Sequence, residues 1–153
     1  MAQRVGIGYD SHRLEAGESL VLGGVEIEHD KGLAGHSDAD VLTHAVIDAL
    51  LGAAGLGDIG ELFPPGDDQW KDANSIDLLR IVVGNLPGPA VNVDATLICE
   101  EPNLAEYRAE MQHNLSEALS APVNVKATTN EGMGAIGRGE GIACTAVVLI
   151  DLD

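Results

Sequence analysis

Ile142-Ala-Cys-Thr-Ala-Val-Val-Leu-Ile150, near the end of the chain, carries no charge and a single hydroxyl. A short apolar run rich in β-branched residues is the pattern of a strand buried on both faces. The rest of the chain alternates strands and helices without the strict βαβ rhythm of a doubly wound fold. The expected architecture is therefore α+β: a two-layer sandwich with a mixed four-stranded sheet, a small hairpin, and helices on one face. Such a sandwich leaves its other sheet face bare. An apolar strand there implies that further copies of the chain cover it.

Working outward, the four strands of the sheet are expected near Arg4–Tyr9, Pro89–Cys99, Val123–Thr128 and Gly141–Leu152. Leu20–Ile27 reads as a hairpin with Gly23-Gly24 at its turn. Glu28–His36 is polar, with Gly32 and Gly35, and reads as a mobile loop. Ser37 is the expected N-cap of a helix that ends at the glycine-rich stretch Gly52–Gly60, with Asp40 as capping-box partner. Asn74–Leu86 reads as a second helix. A third runs from Pro102-Asn103 to about Ser120, opened by an Asn103/Glu106 capping box. Residues 1–153 are expected to form one domain.

Composition excludes several classes of function. The net charge is −17, from 25 acidic and 8 basic residues spread along the chain. Without a basic patch, nucleic acid and anionic membrane surfaces are excluded as partners. One Trp, one Phe and two Tyr cannot line a base-stacking groove. No apolar run approaches the roughly 20 residues of a membrane span, and no signal peptide precedes the first strand, so a cytoplasmic protein is expected. Cys99 and Cys144 sit in apolar strands and read as buried free thiols. A phosphate-bearing substrate would have to find its positive charge in divalent metals and backbone N–H groups.

Three stretches carry chemistry. In Arg4-Val-Gly-Ile-Gly-Tyr-Asp10-Ser-His12, strand alternation puts Asp10 and His12 on one side. His44 follows on the helix-like run Asp38-Ala-Asp-Val-Leu-Thr-His44-Ala-Val-Ile. A carboxylate with two imidazoles suits zinc and leaves one coordination position open. Taken singly, Asp10/His12 also fits a surface pair and His44 a core residue. His36-Ser37, at a helix N-terminus, suits phosphate, or else Ser37 is only a cap. Asp38 and Asp40 read as acids that stabilise the helix dipole. Gly57-Asp58-Ile59-Gly60-Glu-Leu-Phe63-Pro64-Pro65-Gly66-Asp67 can hold a small polyol or simply connect two helices. In Lys126-Ala-Thr128-Thr129-Asn130-Glu131-Gly-Met-Gly134-Ala135-Ile-Gly137-Arg138-Gly139-Glu140-Gly141, hydroxyls and amides can take phosphate oxygens, and Glu131 a hard cation such as Mg²⁺. A plain glycine-rich hairpin loop is the alternative.

The order and spacing of Gly8-Tyr-Asp10-Ser-His12, Gly35-His36-Ser37-Asp38-Ala-Asp40, His44, Gly57–Gly60, Phe63-Pro64, Lys126–Thr129 and Gly137–Gly141 closely resemble the 2-C-methyl-D-erythritol 2,4-cyclodiphosphate synthase family over essentially the whole chain. The resemblance implies a homotrimer whose sheets face a central axis, with active sites between subunits. It implies metal-dependent cyclisation of 4-diphosphocytidyl-2-C-methyl-D-erythritol 2-phosphate with release of CMP, in the non-mevalonate isoprenoid pathway. It further implies one zinc per subunit on Asp10, His12 and His44, Mg²⁺ or Mn²⁺ at Glu131, and transition-state stabilisation by His36 and Thr129. Asp10, His12, His36 and Ser37 would also meet substrate. Asp58, Ile59, Gly60, Phe63, Pro64, Pro65, Gly66 and Asp67 match the methylerythritol contacts. Cys99, Glu100, Glu101, Pro102, Asn103, Leu104 and Ala105, with Thr128, Thr129, Asn130 and Glu131, match the cytidine-diphosphate site; Ala135 and Arg138 complete the set. Asn103 stands where the family commonly has Lys, and Ala135 where it often has Phe near the trimer axis. A zinc-dependent nucleotide-diphosphate hydrolase is the rival enzyme, although no general base adjoins Asp10 or His12. A nucleotide- or metal-binding trimer that keeps only the fold is the non-enzymatic rival.

Overall fold

The computed structural model describes residues 2–152. In chain order the elements are β1 (Gln3–Ala16), β2 (Leu20–Leu22), β3 (Val25–Ile27), β4 (Lys31–Leu33), α1 (Val41–Ala54), α2 (Ile59–Leu62), α3 (Ser75–Gly84), β5 (Ala90–Ile98), α4 (Arg108–Leu119), β6 (Val123–Thr128), α5 (Gly134–Gly137) and β7 (Gly141–Asp151). Short 3₁₀ turns lie at Asp68–Trp70 and Ala105–Tyr107.

The apolar run at 142–150 is the middle strand of a mixed sheet ordered β4-β1-β7-β5-β6, in which β5 and β6 form the parallel pair. β1 and β7 pair antiparallel from Gln3↔Asp151 to Arg13↔Gly141, and this long ladder is the spine of the molecule. Ile142, Cys144, Ala146, Val148 and Ile150 are buried beneath the helices. Their neighbours point the other way, and Val147 is 45% exposed. Val5, Ile7 and Tyr9 of β1 share that outer face at 68%, 71% and 59% exposure. Within one chain, then, β7 is buried on one face only, and the other face is an apolar surface.

The sheet has five strands where four were expected. The additional one is β4, a three-residue edge strand inside the segment read as a polar loop. Gly32 permits it: a Cβ there would lie 2.2 Å from the Glu18 carbonyl oxygen, so only glycine lets the two backbones meet. β1 is also longer than expected, because Asp10 to Ala16 continues the ladder to β7 and then to β4.

Even-numbered residues of β1 face α1. At Gly6 an added Cβ would sit 1.9 Å from the Ala49 carbonyl oxygen, and at Gly8 2.0 Å from that of Ala45. The helix lies directly on the strand backbone. Gly6 meets the helix at Ala49 and Ala53, and Gly8 meets it one turn earlier at Ala45 and Ala49. The next residue on that side is Asp10, which therefore arrives opposite His44. Leu42, Val46, Ile47, Leu50 and Leu51 fill the remaining faces of α1, all essentially inaccessible.

The cap of α1 corrects the sequence reading. Asp40, not Ser37, is the N-cap. Its Oδ1 accepts the N–H groups of Thr43 and Gly23 at 3.0 and 2.9 Å; its Oδ2 accepts Gly24 N–H and Thr43 Oγ–H at 2.9 and 2.8 Å. Four donors on one buried carboxylate satisfy the helix end and fasten the hairpin turn to it. Gly23 and Gly24 both have positive φ, as a two-residue turn of this hand requires. α3 starts as expected, with Asn74 Oδ1 accepting from Ile76 N–H. Asn103 Oδ1 instead accepts Ala105 N–H at 2.9 Å ahead of a 3₁₀ turn whose N-cap is Leu104, and α4 begins at Arg108 without a side-chain cap. The glycine-rich loop expected at 132–141 also holds the short helix α5.

Gly8→Ala drives a methyl group into the α1 backbone, which no rotamer change relieves. We expect it to cost at least about 3 kcal/mol, read as a shift of the urea midpoint with unchanged slope.

Candidate active site

The strand–helix contact delivers Asp10 and His12 from β1 and His44 from α1 to one point. Asp10 Oδ2 lies 2.8 Å from His12 Nε2 and 3.1 Å from His44 Nδ1, and the two ring nitrogens are 3.4 Å apart. This is the cluster of metal-ligating groups found among the described residues, with its donor atoms within 4.8 Å of one another. The arrangement fits a divalent cation. His12 Nδ1 faces the Ala34 carbonyl at 3.1 Å; a carbonyl only accepts, so Nδ1 carries the hydrogen and Nε2 turns its lone pair inward. A carboxylate oxygen and inward-facing ring nitrogens converge with only positive charge able to sit among them. Gly35 completes the support of His12: a Cβ would come within 3.2 Å of the imidazole, so the residue is small to admit a ring.

Burial works against the Asp10 anion, but the adjoining His12 and His44 imidazoles outweigh it, setting its pKa at about 2. Asp10 is thus a full carboxylate at neutral pH. Burial likewise opposes a charged His44, yet the carboxylates of Asp10, Asp40 and Asp38 hold its pKa above the ordinary value.

The cluster opens into a cleft of about 220 Å³ lined by Asp10, His12, His36, Ser37, His44, Ile59, Gly60, Phe63, Pro65, Trp70 and Leu78. Asp58 caps α2 by accepting Glu61 N–H at 2.9 Å, which sets Ile59 and Gly60 at the rim. Phe63 and Trp70 meet edge to face, centroids 4.8 Å apart, and form an apolar wall. His36 is not on a free loop. Its Nε2–H donates to the Asp67 carbonyl at 2.8 Å, its own carbonyl accepts Asp72 N–H, and Asp38 N–H donates to the Ala73 carbonyl. Ser37 Oγ, freed from capping, lies 3.1 Å from His44 Nε2.

A second cavity, about 370 Å³, is lined by Cys99, Glu100, Glu101, Pro102, Asn103 and Leu104 with Ala127, Thr128 and Thr129. Ala105 opens the adjoining 3₁₀ turn. Glu100 Oε1 accepts the Asn130 N–H at 2.5 Å, tying this loop to the 129–132 turn. Glu131, at positive φ, is exposed and donates its N–H to Thr129 Oγ1 at 3.2 Å. Cys99 and Cys144 are buried free thiols. Burial, with the neighbouring Glu100 charge, pushes the Cys99 pKa up to about 11, and its Sγ–H donates to the Glu101 carbonyl at 3.2 Å. Arg138 Nε donates to Glu140 Oε2 at 2.6 Å on the exposed surface, one residue past α5, which contains Ala135.

The first cavity thus brings Asp10, His12, His36, Ser37 and His44 together with Ile59, Gly60, Phe63 and Pro65, and the second brings residues 99–104 together with Thr128 and Thr129; Asp58, Ala105, Asn130, Glu131, Ala135 and Arg138 line neither. Their lining sets share no residue. Pro64, Gly66 and Asp67 lie on the loop beside the first cavity without lining it. Trp70 and Ser75 went unremarked in the sequence. The single Trp beside a Pro-Gly loop was an available signal; nothing local marks Ser75.

The YgbB family model matches residues 3–151. The chain belongs to the YgbB family. A 2-C-methyl-D-erythritol 2,4-cyclodiphosphate synthase of Syntrophomonas wolfei is 56% identical, the alignment covering 97% of this chain and 98% of the relative. The bifunctional IspDF from Campylobacter jejuni superposes with a TM-score of 0.92 at 42% identity, over 97% of this chain and 42% of that longer one. The IspF of Plasmodium falciparum in complex with CDP superposes with a TM-score of 0.85 at 33% identity, over 99% and 98% of the two chains.

His44→Ala removes the helix-borne member of the cluster. Bound divalent metal should drop from one per chain to a small fraction of that, with activity, as read by elemental analysis of dialysed protein beside the parent.

Proposed function

We infer that this YgbB chain, acting as one domain over residues 1–153, is a 2-C-methyl-D-erythritol 2,4-cyclodiphosphate synthase. It cyclises 4-diphosphocytidyl-2-C-methyl-D-erythritol 2-phosphate and releases CMP, as a step of isoprenoid biosynthesis. The observation that carries this is the convergence of Asp10, His12 and His44 on one point in the lining of a small, mostly apolar cleft. The names of its relatives supply the substrate.

The chemistry suits the side chains. The substrate's 2-phosphate attacks its own β-phosphorus, the phosphoanhydride oxygen leaves with CMP, and no proton has to move. Neither a side-chain nucleophile nor a strong base is needed; orientation and charge compensation suffice. Asp10, His12 and His44 hold zinc, which when bound supplies Lewis acidity toward a phosphate oxygen. Glu131 holds a hard cation, Mg²⁺ or Mn²⁺, on the nucleotide side. His36 and Thr129 donate hydrogen bonds to the reacting phosphates, and Ser37 to the phosphate beside the helix end. Asp58–Gly60 and the Phe63–Asp67 loop hold the methylerythritol. Residues 99–105 and 128–131, with Ala135 and Arg138, hold the cytidine diphosphate; that the P. falciparum relative forms a complex with CDP supports a nucleotide ligand. Asn103 and two acidic neighbours make this nucleotide loop poor in cations. A cytoplasmic setting keeps both free thiols reduced.

We further propose a homotrimer with the sheets facing its axis. Val5, Ile7, Tyr9 and Val147 form one apolar face that water would otherwise wet. The two cavities share no residue within a chain, so a neighbouring copy supplies the nucleotide half of each site. Light scattering on Ile7→Glu should report monomers where the parent reports trimers; a parent that is monomeric at micromolar concentration overturns the assembly.

Phosphorus NMR of the turnover mixture tests the reaction. Cyclic diphosphate plus CMP is expected. CMP with a linear diphosphate identifies the hydrolase instead.

A further inference from the structure

Behind His44 runs a chain of hydrogen bonds that the reaction as described does not use. Ser75, the first residue of α3, is fully buried. Its Oγ–H donates to Asp38 Oδ1 in a short bond, and its N–H donates to Asp38 Oδ2 at 3.0 Å. Asp38 is held in turn: its N–H donates to the Ala73 carbonyl, and its Oδ1 accepts Asp40 N–H at 3.1 Å. The same Ser75 Oγ lies 2.7 Å from His44 Nε2.

A hydroxyl has one hydrogen and an ionised carboxylate none. With the Ser75 hydrogen given to Asp38, the contact to His44 is a hydrogen bond only when Nε2 carries the imidazole hydrogen. Ser37 Oγ is a second oxygen on the same side. Nδ1 then keeps its lone pair, and it is Nδ1 that faces Asp10 Oδ2 and His12 Nε2. His12 reaches the equivalent state through a backbone carbonyl, which no substitution of its own can remove. His44 depends on two side chains.

We propose that Asp38 and Ser75 are positioning residues that lock His44 in its Nε2–H tautomer, leave Nδ1 free to ligate the divalent ion, and so set the metal affinity without touching the metal. This rests on reading Asp10, His12 and His44 as a metal site. Asp38 thereby has a role beyond the helix dipole: it commits the serine hydrogen. Without it, the Ser75 hydroxyl can turn and donate to Nε2, which favours the Nδ1–H form that cannot bind metal from that nitrogen.

The test uses the full chain as parent, Asp38→Ala and Ser75→Ala. Long-range proton–nitrogen spectra of the metal-free proteins, at a pH where the imidazoles are neutral, read the tautomer of His44. Competition with a chromophoric chelator reads zinc affinity. The parent should show Nε2–H. Each variant should show a mixture with Nδ1–H and bind zinc about 10- to 100-fold more weakly. A purely structural role would lower the melting temperature and leave the tautomer alone. A folded variant with the parental tautomer and parental zinc affinity overturns the proposal, as does a metal-free parent in the Nδ1–H form. A parent that takes up no zinc sinks the metal reading itself, and this inference with it.

Discussion

Everything in the site descends from a contact that contains almost no side chain. At Gly6 and Gly8 the backbone of β1 lies against α1 at a separation that any Cβ would violate. Close approach fixes the distance between strand and helix, and the pitch of the helix fixes which turn meets which residue. Two residues beyond Gly8, that geometry leaves Asp10 facing His44 within hydrogen-bonding distance. A wider packing with ordinary side chains at positions 6 and 8 would move the helix outward and leave the carboxylate and the imidazole too far apart to share an ion. The glycines are therefore as much a part of this candidate metal site as Asp10, His12 and His44 are.

The strongly acidic character of the chain sharpens the need for that centre. A protein of net charge −17 is an unwelcoming host for a substrate with several phosphates. Even the groups nearest the cleft are acidic: Asp38, Asp40 and Asp48 lie behind the cluster, and Glu100 and Glu101 border the second cavity. The protein's own fixed charge thus favours cations, and bound cations favour phosphate. Acidic surroundings that repel phosphate directly favour the cations that attract it.

Much of this was legible in the chain. Strand alternation in residues 4–12 put Asp10 and His12 on one side, the hairpin lies where its Gly23-Gly24 turn placed it, and β6 spans the expected Val123–Thr128. What the pattern could not reveal was tertiary. Ser37 and Asp40 are both good caps, and the choice fell to Asp40 because the amides of Gly23 and Gly24, far away in sequence, needed its second oxygen. Gly32 and Gly35 look like loosening residues, yet one admits a neighbouring backbone and the other a histidine ring. Glycine announces freedom in a sequence and close contact in a structure. Trp70 and Ser75 escaped because their place is set by a loop folding back over α1, which no local period records.

At the far edge of the sheet, α4 treats β6 in an unusual way. Gln112 Oε1 accepts the Val125 N–H at 2.9 Å, and Arg108 Nε–H donates to the Val125 carbonyl at 2.7 Å. Both backbone groups of that residue are spent on side chains. An incoming strand therefore finds no ladder to extend at the centre of β6, and the opposite border is the three-residue β4. Self-association through sheet edges leads to ribbons that never terminate, whereas association through a flat face closes on itself after a few copies. By blunting its borders, this chain is biased away from ribbon-like growth along its sheet edges.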